Sequence, residues 1–444
     1  MPRWPGSPRY QRPTTLGIFL LASLAAACAR SVATSPPPSP AVRQAIPAAD
    51  ATTLHRKLLF GYQGWFGCPG DGSLLDRWQH WFRTGSATAG TLRVDMWPDL
   101  SELPERERCP TSLTMPDGTP AQLYSAYRAA AVDMHFRWLR EYDLPGVFLQ
   151  RFTVNLDDDA MRDFRDTVAR NVRTASESHG RVFAVMYDIS GHRAETLVED
   201  LQRDWTHVVD TLRLLESPRY LRHAGRPVLA IWGFGFTDRP ASPQQAAQLI
   251  EFFKNHPDPR YRVTLFGGIP AGWRTLTRDS QPDPAWAAVY RAFDIISPWA
   301  VGRFRDSVGI ERFYADSVAA DLQETRELGI EYMPVVFPGF SWHNMNPSAA
   351  INQIPRRGGR FFWEQIDRAI ETGAGMLYGA MFDEVDESTA LFKLARSPRD
   401  APADPKTVTL DADGVAVPSD WYLRLAREGQ WRLRRNVQSL IPNR

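Results

Sequence analysis

The sequence lacks the features that mark several large classes of protein. Its 444 residues contain three cysteines, and neither Cys68 nor Cys109 has a Cys or His at the spacing of a zinc site. The 52 basic and 51 acidic residues nearly cancel, so nucleic acid binding and a polybasic membrane patch are not indicated. No phosphate-binding glycine loop and no informative Ser/His/Asp order is present. These absences argue against nucleic-acid-binding proteins, zinc proteins and nucleotide-binding enzymes.

The chain also lacks a transmembrane-length apolar run near its N-terminus. Leu16–Ala27 is apolar but too short to span a bilayer, and it follows an arginine-bearing segment without acids, which is typical of a signal peptide. It ends at Ala25-Ala26-Ala27-Cys28, which resembles a bacterial lipobox. We therefore expect residues 1–28 to direct export, with Cys28 lipidated at the cell envelope (outer membrane or periplasm). Ordinary signal cleavage, giving a secreted protein, is the alternative. Residues 29–50 are Pro/Ser-rich and predict an extended tether.

Two cysteines remain once Cys28 is assigned to lipid. In an oxidising compartment Cys68 and Cys109 could form a disulfide, and two free thiols are the alternative.

Residues 51–444 alternate between strand-like and helix-like segments. Eight short runs rich in β-branched or aromatic residues predict strands at Lys57–Phe66, Gly146–Phe152, Val182–Ser190, Pro227–Phe236, Val263–Pro270, Phe293–Val301, Glu331–Phe340 and Met376–Glu387. Helical patterns lie between them, around Val132–Leu139 and at Ala160–Ser178, Arg193–Arg222, Pro243–Asn255, Pro284–Arg291, Ile310–Leu328, Phe361–Thr372 and Asp420–Arg435. Eight such units predict an α/β fold, a single (β/α)8 TIM barrel, with an open doubly wound sheet as the alternative.

The ends of the predicted strands are rich in aromatic and polar side chains. In a (β/α)8 barrel the carboxyl ends of the strands carry the function. The candidate substrate-binding residues there are Tyr62, Trp65, Gln150, Tyr187, Asp188, Trp232, Trp299 and His343, with His80, Asp95 and Trp97 from the long first loop. Arg151 follows the second strand and is expected to hold a carboxylate such as Glu384 or Asp188. This mixture of indole rings, hydrogen-bonding groups and acids is typical of a carbohydrate site.

Four acids follow the eighth strand within five residues, Asp383, Glu384, Asp386 and Glu387. Carboxylates packed this closely repel, so some must have partners or raised pKa values. Cleavage of a glycosidic bond needs such a pair, one acid for the leaving oxygen and one carboxylate on the other side of the sugar. A solvated acidic loop and a divalent-cation site that includes Asp188 are alternatives.

Three segments together resemble bacterial relatives of glycoside hydrolase family 99, which contains endo-α-mannosidases, and of the related family 71. They are Gly61–Phe66 (GYQGWF), the helix–strand unit Val132–Phe152, and Glu384-x-x-Glu387, within a similarity that runs from about residue 54. The resemblance implies a retaining, endo-acting glycosidase for α-linked sugars that needs no metal or cofactor.

The resemblance also implies separate roles for the two glutamates. Glu384 corresponds to the residue that deprotonates the 2-hydroxyl of the substrate, giving a 1,2-anhydro sugar. Glu387 corresponds to the acid that protonates the leaving group and later activates water. The family pattern has Asn, Trp and His where this chain has Asp383, Val385 and Asp386, which we expect to support the glutamates. A non-catalytic glycan-binding protein on the same barrel and a metal-assisted hydrolase stay open as alternatives.

Overall fold

The eight predicted strands form a closed parallel barrel. The computed structural model describes residues 46–436. Its barrel strands are Leu58–Tyr62 (β1), Gly146–Phe152 (β2), Val182–Asp188 (β3), Arg226–Trp232 (β4), Thr264–Ile269 (β5), Ile295–Pro298 (β6), Glu331–Tyr332 with Val335–Val336 (β7) and Leu377–Gly379 (β8). The prediction of a (β/α)8 barrel is therefore confirmed.

Strand β7 closes the barrel in two short pieces. Its first piece pairs with β6 through Glu331 and Ile295, and its second pairs with β8 through Val335 and Tyr378. On the other side of β8, Leu377 pairs with Leu58 of β1. Consecutive strands from β1 to β6 pair in parallel in the same way.

Helices cover the outside of the barrel. They are Ala129–Glu141 (α1), Asp159–His179 (α2), Leu197–Thr206 (α3), Pro243–Asn255 (α4), Ala285–Tyr290 (α5), Ser307–Phe313 (α6), Ala319–Leu328 (α7), Arg360–Glu371 (α8) and Trp421–Asn436 (α9). Helix α4 has the predicted bounds, because Ser242 and Gln245 form a capping box and Pro243 occupies the first turn. A π-helical turn, Tyr314–Val318, joins α6 to α7.

The predicted helix Arg193–Arg222 is wrong in its bounds. Helix α3 continues as the π-helical turn His207–Thr211, and Arg213 then takes a positive φ of 52° that ends the helix. Arg222–His223 is instead a short strand antiparallel to the start of β4. Shorter 3-10 turns lie at Ala89–Thr91, Glu105–Glu107, Thr153–Asn155, Leu214–Glu216, Pro259–Tyr261, Arg357–Gly359 and Pro398–Asp400.

Large side chains fill the inside of the barrel. Phe148 packs against Phe266 and Tyr378 with ring centroids 5.1 and 5.8 Å apart. Gly61 of β1 faces this layer, because a Cβ atom there would lie 2.2 Å from the Tyr378 hydroxyl and 2.1 Å from Met381. Close packing below the mouth therefore requires a glycine at position 61, the first residue of the GYQGWF motif.

The long loop between β1 and α1 is fastened by a hairpin and a disulfide. Strands Cys109–Thr114 and Pro120–Leu123 pair antiparallel. Cys68 and Cys109 are bonded, with their Cα atoms 6.4 Å apart. The bond links the start of the loop, just after the GYQGWF motif, to the hairpin.

Removing this disulfide is expected to destabilise the protein by about 3–4 kcal/mol, because a closed loop of this length limits the unfolded chain. The double variant Cys68→Ser/Cys109→Ser should unfold at a lower temperature in calorimetry. Reduced wild-type protein, which differs only in the bond, is the matched control. Equal Tm values for oxidised and reduced protein would contradict this expectation.

The predicted export signal lies outside the described residues, and so does Cys28. Within residues 46–436, no helix is both long enough and apolar enough to cross a membrane. The backbone N–H of Ala49 donates to the Gly180 carbonyl oxygen at 2.8 Å, so contacts with the barrel begin within the last residues of the predicted tether.

Candidate active site

The two glutamates lie in the loop after β8, at the carboxyl end of the barrel, and their environments differ. Glu384 is buried, and its two carboxylate oxygens accept hydrogen bonds from the Gln63 side-chain amide and the Thr389 hydroxyl, both at 2.6 Å. Glu387 is partly exposed, and its carboxylate receives no hydrogen bond from the described residues, although its backbone carbonyl accepts the Ser341 N–H at 3.0 Å. One carboxylate is therefore held in place from both sides, and the other is accessible.

Burial raises the pKa of both glutamates. For Glu384, burial and the nearby Glu387 and Asp386 raise the pKa well above its ordinary value, and the Thr389 and Gln63 hydrogen bonds oppose the rise. For Glu387, burial and the charges of Asp386 and Asp188 raise the pKa to about 7, although the Arg239 charge lowers it. Two carboxylates that interact in this way titrate as a pair, so near neutral pH they can hold one proton between them.

Asp383 connects the glutamates to β1. Its two oxygens accept the backbone N–H groups of Gln63 and Gly64 at 2.7 and 2.9 Å. Gly64 has a φ of +54°, which suits glycine and turns its N–H toward the aspartate. Burial raises the pKa of Asp383 to about 7 even though these backbone hydrogen bonds lower it. The sequence motifs after β1 and β8 thus form one hydrogen-bonded unit.

Asp386 lies in a different environment. Its side chain is 1% exposed, its Oδ1 has no hydrogen-bond partner among the described residues, and its Oδ2 is 3.7 Å from His80 Nδ1. The His80 ring stacks on Trp65 with centroids 3.9 Å apart. Burial lowers the pKa of His80 although Asp386 raises it, so the imidazole is mainly neutral at pH 7.

The opposite side of the mouth carries Asp188, Trp232, Trp299 and Arg239. Asp188 accepts the Ser190 N–H at 2.7 Å, and burial raises its pKa. Trp232 packs against Trp299, with centroids 5.4 Å apart, and the Arg239 guanidinium lies 5.1 Å from the Trp232 ring centre. Gln150 donates to the Tyr378 hydroxyl at 3.1 Å inside the barrel. Trp65, Asp188, Trp232 and Trp299 are partly exposed, as expected for residues that contact a ligand.

Three predicted site residues point away from the mouth. Tyr62 is fully buried, and its hydroxyl lies 2.9 Å from His135 Nδ1 of α1. Tyr187 donates to Asp204 of α3 at 2.6 Å. Arg151 holds Asp204 through two bonds of 2.6 Å and Asp166 of α2 at 2.9 Å, so it contacts neither Glu384 nor Asp188. The predictions for these residues are wrong, because alternate residues of a strand face opposite sides.

Trp97 and His343 are also placed differently from the prediction. Trp97 is 4% exposed and lines a separate cavity of about 620 Å³ with Pro98, Arg108, Leu394 and Arg399, whose walls contain neither glutamate. The His343 ring donates from Nδ1–H to the Ala349 carbonyl oxygen at 2.7 Å, and its backbone N–H donates to Asp95. Asp95 is a structural residue, since it also binds the N–H of Asn344 at 2.7 Å.

The Arg151 pairing gives a stability prediction. Burial alone would lower the Arg151 pKa, but Asp204 and Asp166 raise it above its ordinary range. Arg151→Met should lower the free energy of unfolding by about 3–5 kcal/mol, because it leaves the buried Asp204 without a cation and leaves Asp166 with only His207. Urea unfolding measures the change. Arg173→Met, which removes an exposed pair with Glu177, is the control and should cost less than about 0.5 kcal/mol. Equal effects would contradict the expectation.

The three-residue group best arranged for a metal within residues 46–436 lies at the other end of the barrel. It comprises His55, His223 and Glu331, whose ligand atoms lie within 4.8 Å of one another. The Leu54 N–H donates to His223 Nδ1, so His223 Nε2 carries the proton and donates to Glu331 at 2.7 Å. Burial alone would raise the pKa of Glu331, but the hydrogen bonds from His223 and His55 lower it to about 2. This donor set fits direct hydrogen bonding rather than a metal.

Several site residues were not singled out from the sequence. Gln63 belongs to the GYQGWF motif and could have been chosen from it. Thr389 and Arg239 lie in loops, where sequence gives no periodic signal. Arg165, which donates to the Gln63 carbonyl at 3.3 Å, lies inside helix α2, and burial lowers its pKa to about 9.

No protein-family model and no curated protein sequence matches the chain. Among solved structures, two of the family 99 endo-α-mannosidase from Bacteroides thetaiotaomicron, one in complex with BIS-TRIS-propane, match with a TM-score of 0.62. They are 14% identical, and the match covers 87% of this chain and 100% of theirs. A glycoside hydrolase-like protein matches less well, with a TM-score of 0.49 and 14% identity over 74% of this chain and 91% of its own.

The fold therefore defines a (β/α)8 barrel of the kind found in the family 99 endo-α-mannosidase. The resemblance noted in the sequence is confirmed for the fold. At this identity the likeness establishes the architecture, and the chemistry must be argued from the residues of this chain.

Proposed function

We propose that this protein is an exported glycosidase that cleaves α-linked glycosidic bonds in a polysaccharide or glycan, endo-acting and with retention. Glu384 and Glu387 are its catalytic residues. The observation that carries the proposal is the pair itself: two glutamates in one loop at the carboxyl end of β8, one held by two donors and one partly exposed.

The hydrogen bonds support different roles for the two glutamates. Donors to both oxygens of Glu384 favour its ionised form, whereas Glu387 has no donor among the described residues. Burial raises the pKa of Glu384 further than that of Glu387, so in the free protein it favours the proton on Glu384. We propose that the reacting form is the other one, with the proton on Glu387 and with the Glu384 carboxylate held ionised by its two donors. Glu387 can then protonate the leaving oxygen, while Glu384 accepts a proton from the 2-hydroxyl that attacks the anomeric carbon. The resulting 1,2-anhydro sugar is opened by a water that Glu387 activates, which restores the starting configuration.

Unpartnered polar atoms around the glutamates support a sugar ligand. Buried atoms without a hydrogen-bond partner in residues 46–436 include the indole N–H groups of Trp65, Trp232 and Trp342, together with Gln63 Oε1 and Asp386 Oδ1. Buried polar groups normally have partners. Donors and acceptors mixed in one place match the hydroxyl groups of a sugar, each of which can both donate and accept.

The N-terminal sequence supports the proposed location. The signal-like segment and Cys28 support export and a lipid anchor at the bacterial cell envelope, with the Pro/Ser-rich segment as a spacer. An enzyme held in this way would act on glycans at or outside the cell surface.

Activity on a glycan panel tests the proposal. Soluble α-mannan, α-1,3-glucan and other α- and β-linked polysaccharides are incubated with the protein, and products are identified by mass and by anomeric NMR. We expect internal cleavage of an α-linked polymer with products that first appear in the α form. A first product in the β form would contradict retention.

Two further outcomes separate the alternatives. Binding of a glycan without cleavage at any enzyme concentration would replace the glycosidase by a glycan-binding protein. Activity that a chelator abolishes, and that added divalent cation restores, would replace it by a metal-assisted hydrolase. Activity unchanged by chelator agrees with the proposal.

A further inference from the structure

The acids at the barrel mouth lack basic partners. Within residues 46–436, no Lys or Arg nitrogen lies within 4.0 Å of the carboxylates of Asp188, Asp383, Glu384, Asp386 or Glu387. Buried acids elsewhere have a basic partner, as Asp204 has Arg151 at 2.6 Å, or several hydrogen-bond donors, as Asp95 has the backbone N–H groups of His343 and Asn344. The two arginines nearest the mouth have other contacts: Arg239 pairs with Asp238 at 2.6 Å, and Arg165 binds Asn155 at 3.0 Å.

Asp386 is the fully buried member of this group whose carboxylate accepts no hydrogen bond from the described residues; the carboxylate of Glu387 accepts none either, but it is partly exposed. Asp383 and Glu384 each accept two hydrogen bonds, and Asp188 accepts one from Ser190. Asp386 is 1% exposed, yet it accepts none from the described residues. A buried carboxylate without a partner is costly, so this position is suited to a donor that arrives with the ligand.

The neighbours of Asp386 do not supply the missing charge. Its nearest basic group is His80, 3.7 Å away, whose ring is mainly neutral because it is buried. Gln63 Oε1 is also buried and unpartnered, on the amide whose nitrogen binds Glu384. A ligand group with several N–H donors and a positive charge would supply what the Asp386 carboxylate lacks.

The shape of the site favours an organic cation. The carboxylates of this group do not bring three ligand atoms within 4.8 Å of one another, unlike His55, His223 and Glu331 at the other end of the barrel. Partly exposed tryptophans border the same mouth. Resting on the proposed function, we infer that the substrate is a glycan in which the sugar next to the one whose bond is cleaved carries a free, protonated amino group, which Asp386 binds beside the catalytic pair, while the cleaved sugar keeps its 2-hydroxyl.

Binding of matched sugars tests this inference. The probes are α-mannosyl and α-glucosyl disaccharides with glucosamine, galactosamine or mannosamine at the reducing end, each as the free amine and as its N-acetyl derivative, so that the sugar to be cleaved keeps its 2-hydroxyl. Their binding is measured by calorimetry. For at least one pair, the wild-type protein should bind the free amine about 10-fold or more tightly than the N-acetyl form. Asp386→Asn should reduce that preference to about 3-fold or less.

Controls separate charge recognition from loss of folding. Asp316→Asn removes an exposed carboxylate that has no hydrogen bond or ion pair among the described residues, and it should keep the preference. His80→Gln should also keep it, because Asp386 remains charged. Without ligand, Asp386→Asn should melt at the same temperature as the wild type or higher, since a buried unpaired charge is gone. A lower Tm would count against the inference.

No preference for the amine in any pair, or a preference that Asp386→Asn leaves intact, would overturn the inference. Different outcomes would contradict the proposed function and the inference about the amino sugar. Cleavage of neutral glycans without amine preference would leave the glycosidase and remove the amino sugar. Amine binding that needs Asp386, with no glycan cleaved, would leave the recognition and remove the glycosidase.

Discussion

Replacing Glu387 by glutamine is expected to lower kcat on the preferred glycan by about 10³-fold, the usual contribution of a general acid. Glutamine has nearly the same shape, but it cannot give a proton to the leaving oxygen. The Glu387 side chain has no hydrogen bond with the described residues, and its backbone hydrogen bond from the Ser341 N–H does not depend on the side chain, so the change should leave the loop intact. Glycan affinity measured by calorimetry should change little. Turnover within 10-fold of the wild type would show that Glu387 is not the acid.

The pH dependence gives an independent test of the same residue. Burial, Asp386 and Asp188 raise the Glu387 pKa from 4.5 to about 7, so the acid form is present below pH 7 and is lost above it. The wild-type rate should therefore fall as the pH rises through about 7. An α-glycosyl fluoride needs no proton on its leaving group, so with that substrate Glu387→Gln should lose far less kcat/KM, which reports the release of fluoride and not the later opening of the anhydro sugar by water. An equal loss with both substrates would contradict the acid role.

The architecture could be read from the sequence because each barrel strand is buried on both sides. Such strands appear as continuous apolar runs, and Gly146–Phe152 was predicted with the bounds of β2. Helix α4 was equally clear, because its capping box and proline are local signals. Helix α3 was overextended, since Arg213 ends it through a backbone conformation that residue type does not announce.

The site was predicted in part, and its errors have a common physical cause. Both residues at a strand end were proposed for the mouth, but neighbours on a strand face opposite ways. Gln150 points into the barrel and Arg151 outward, and Arg151 lies beside Tyr187 in the sheet. Both outward residues bind Asp204. The register between strands, which decides the direction, is not visible in one strand alone.

The contacts that shape the acid pair come from distant parts of the chain. Gln63 reaches Glu384 across 321 positions, and His80 approaches Asp386 from the first loop. Closure of the barrel brings β1 beside β8, so these two loops become neighbours. The sequence predicted the closure, and from it the meeting of the two motifs follows. The sequence could not predict the individual contacts, such as the one between the Gln63 amide and the Glu384 carboxylate.

The second large effect concerns Glu384. Glu384→Gln should lower kcat by at least about 10³-fold, because the 2-hydroxyl then loses the base that makes it a nucleophile. Thr389→Val, which removes one of the two donors to Glu384, should lower kcat by about 10-fold with little change in KM. This graded loss is expected if Thr389 orients the base. Thr389→Ser keeps the hydroxyl and should recover most of the activity.

The 2-hydroxyl itself distinguishes the proposed mechanism from one in which Glu384 attacks the sugar directly. A substrate with hydrogen or fluorine in place of that hydroxyl should not be cleaved, since it has no internal nucleophile. A 2-fluoro glycosyl fluoride should likewise leave the protein unmodified in mass spectrometry. A direct glutamate nucleophile would instead form a stable glycosyl ester with this reagent. An adduct on Glu384 would therefore remove the anhydro-sugar route, even though the pair of glutamates would remain the site of cleavage.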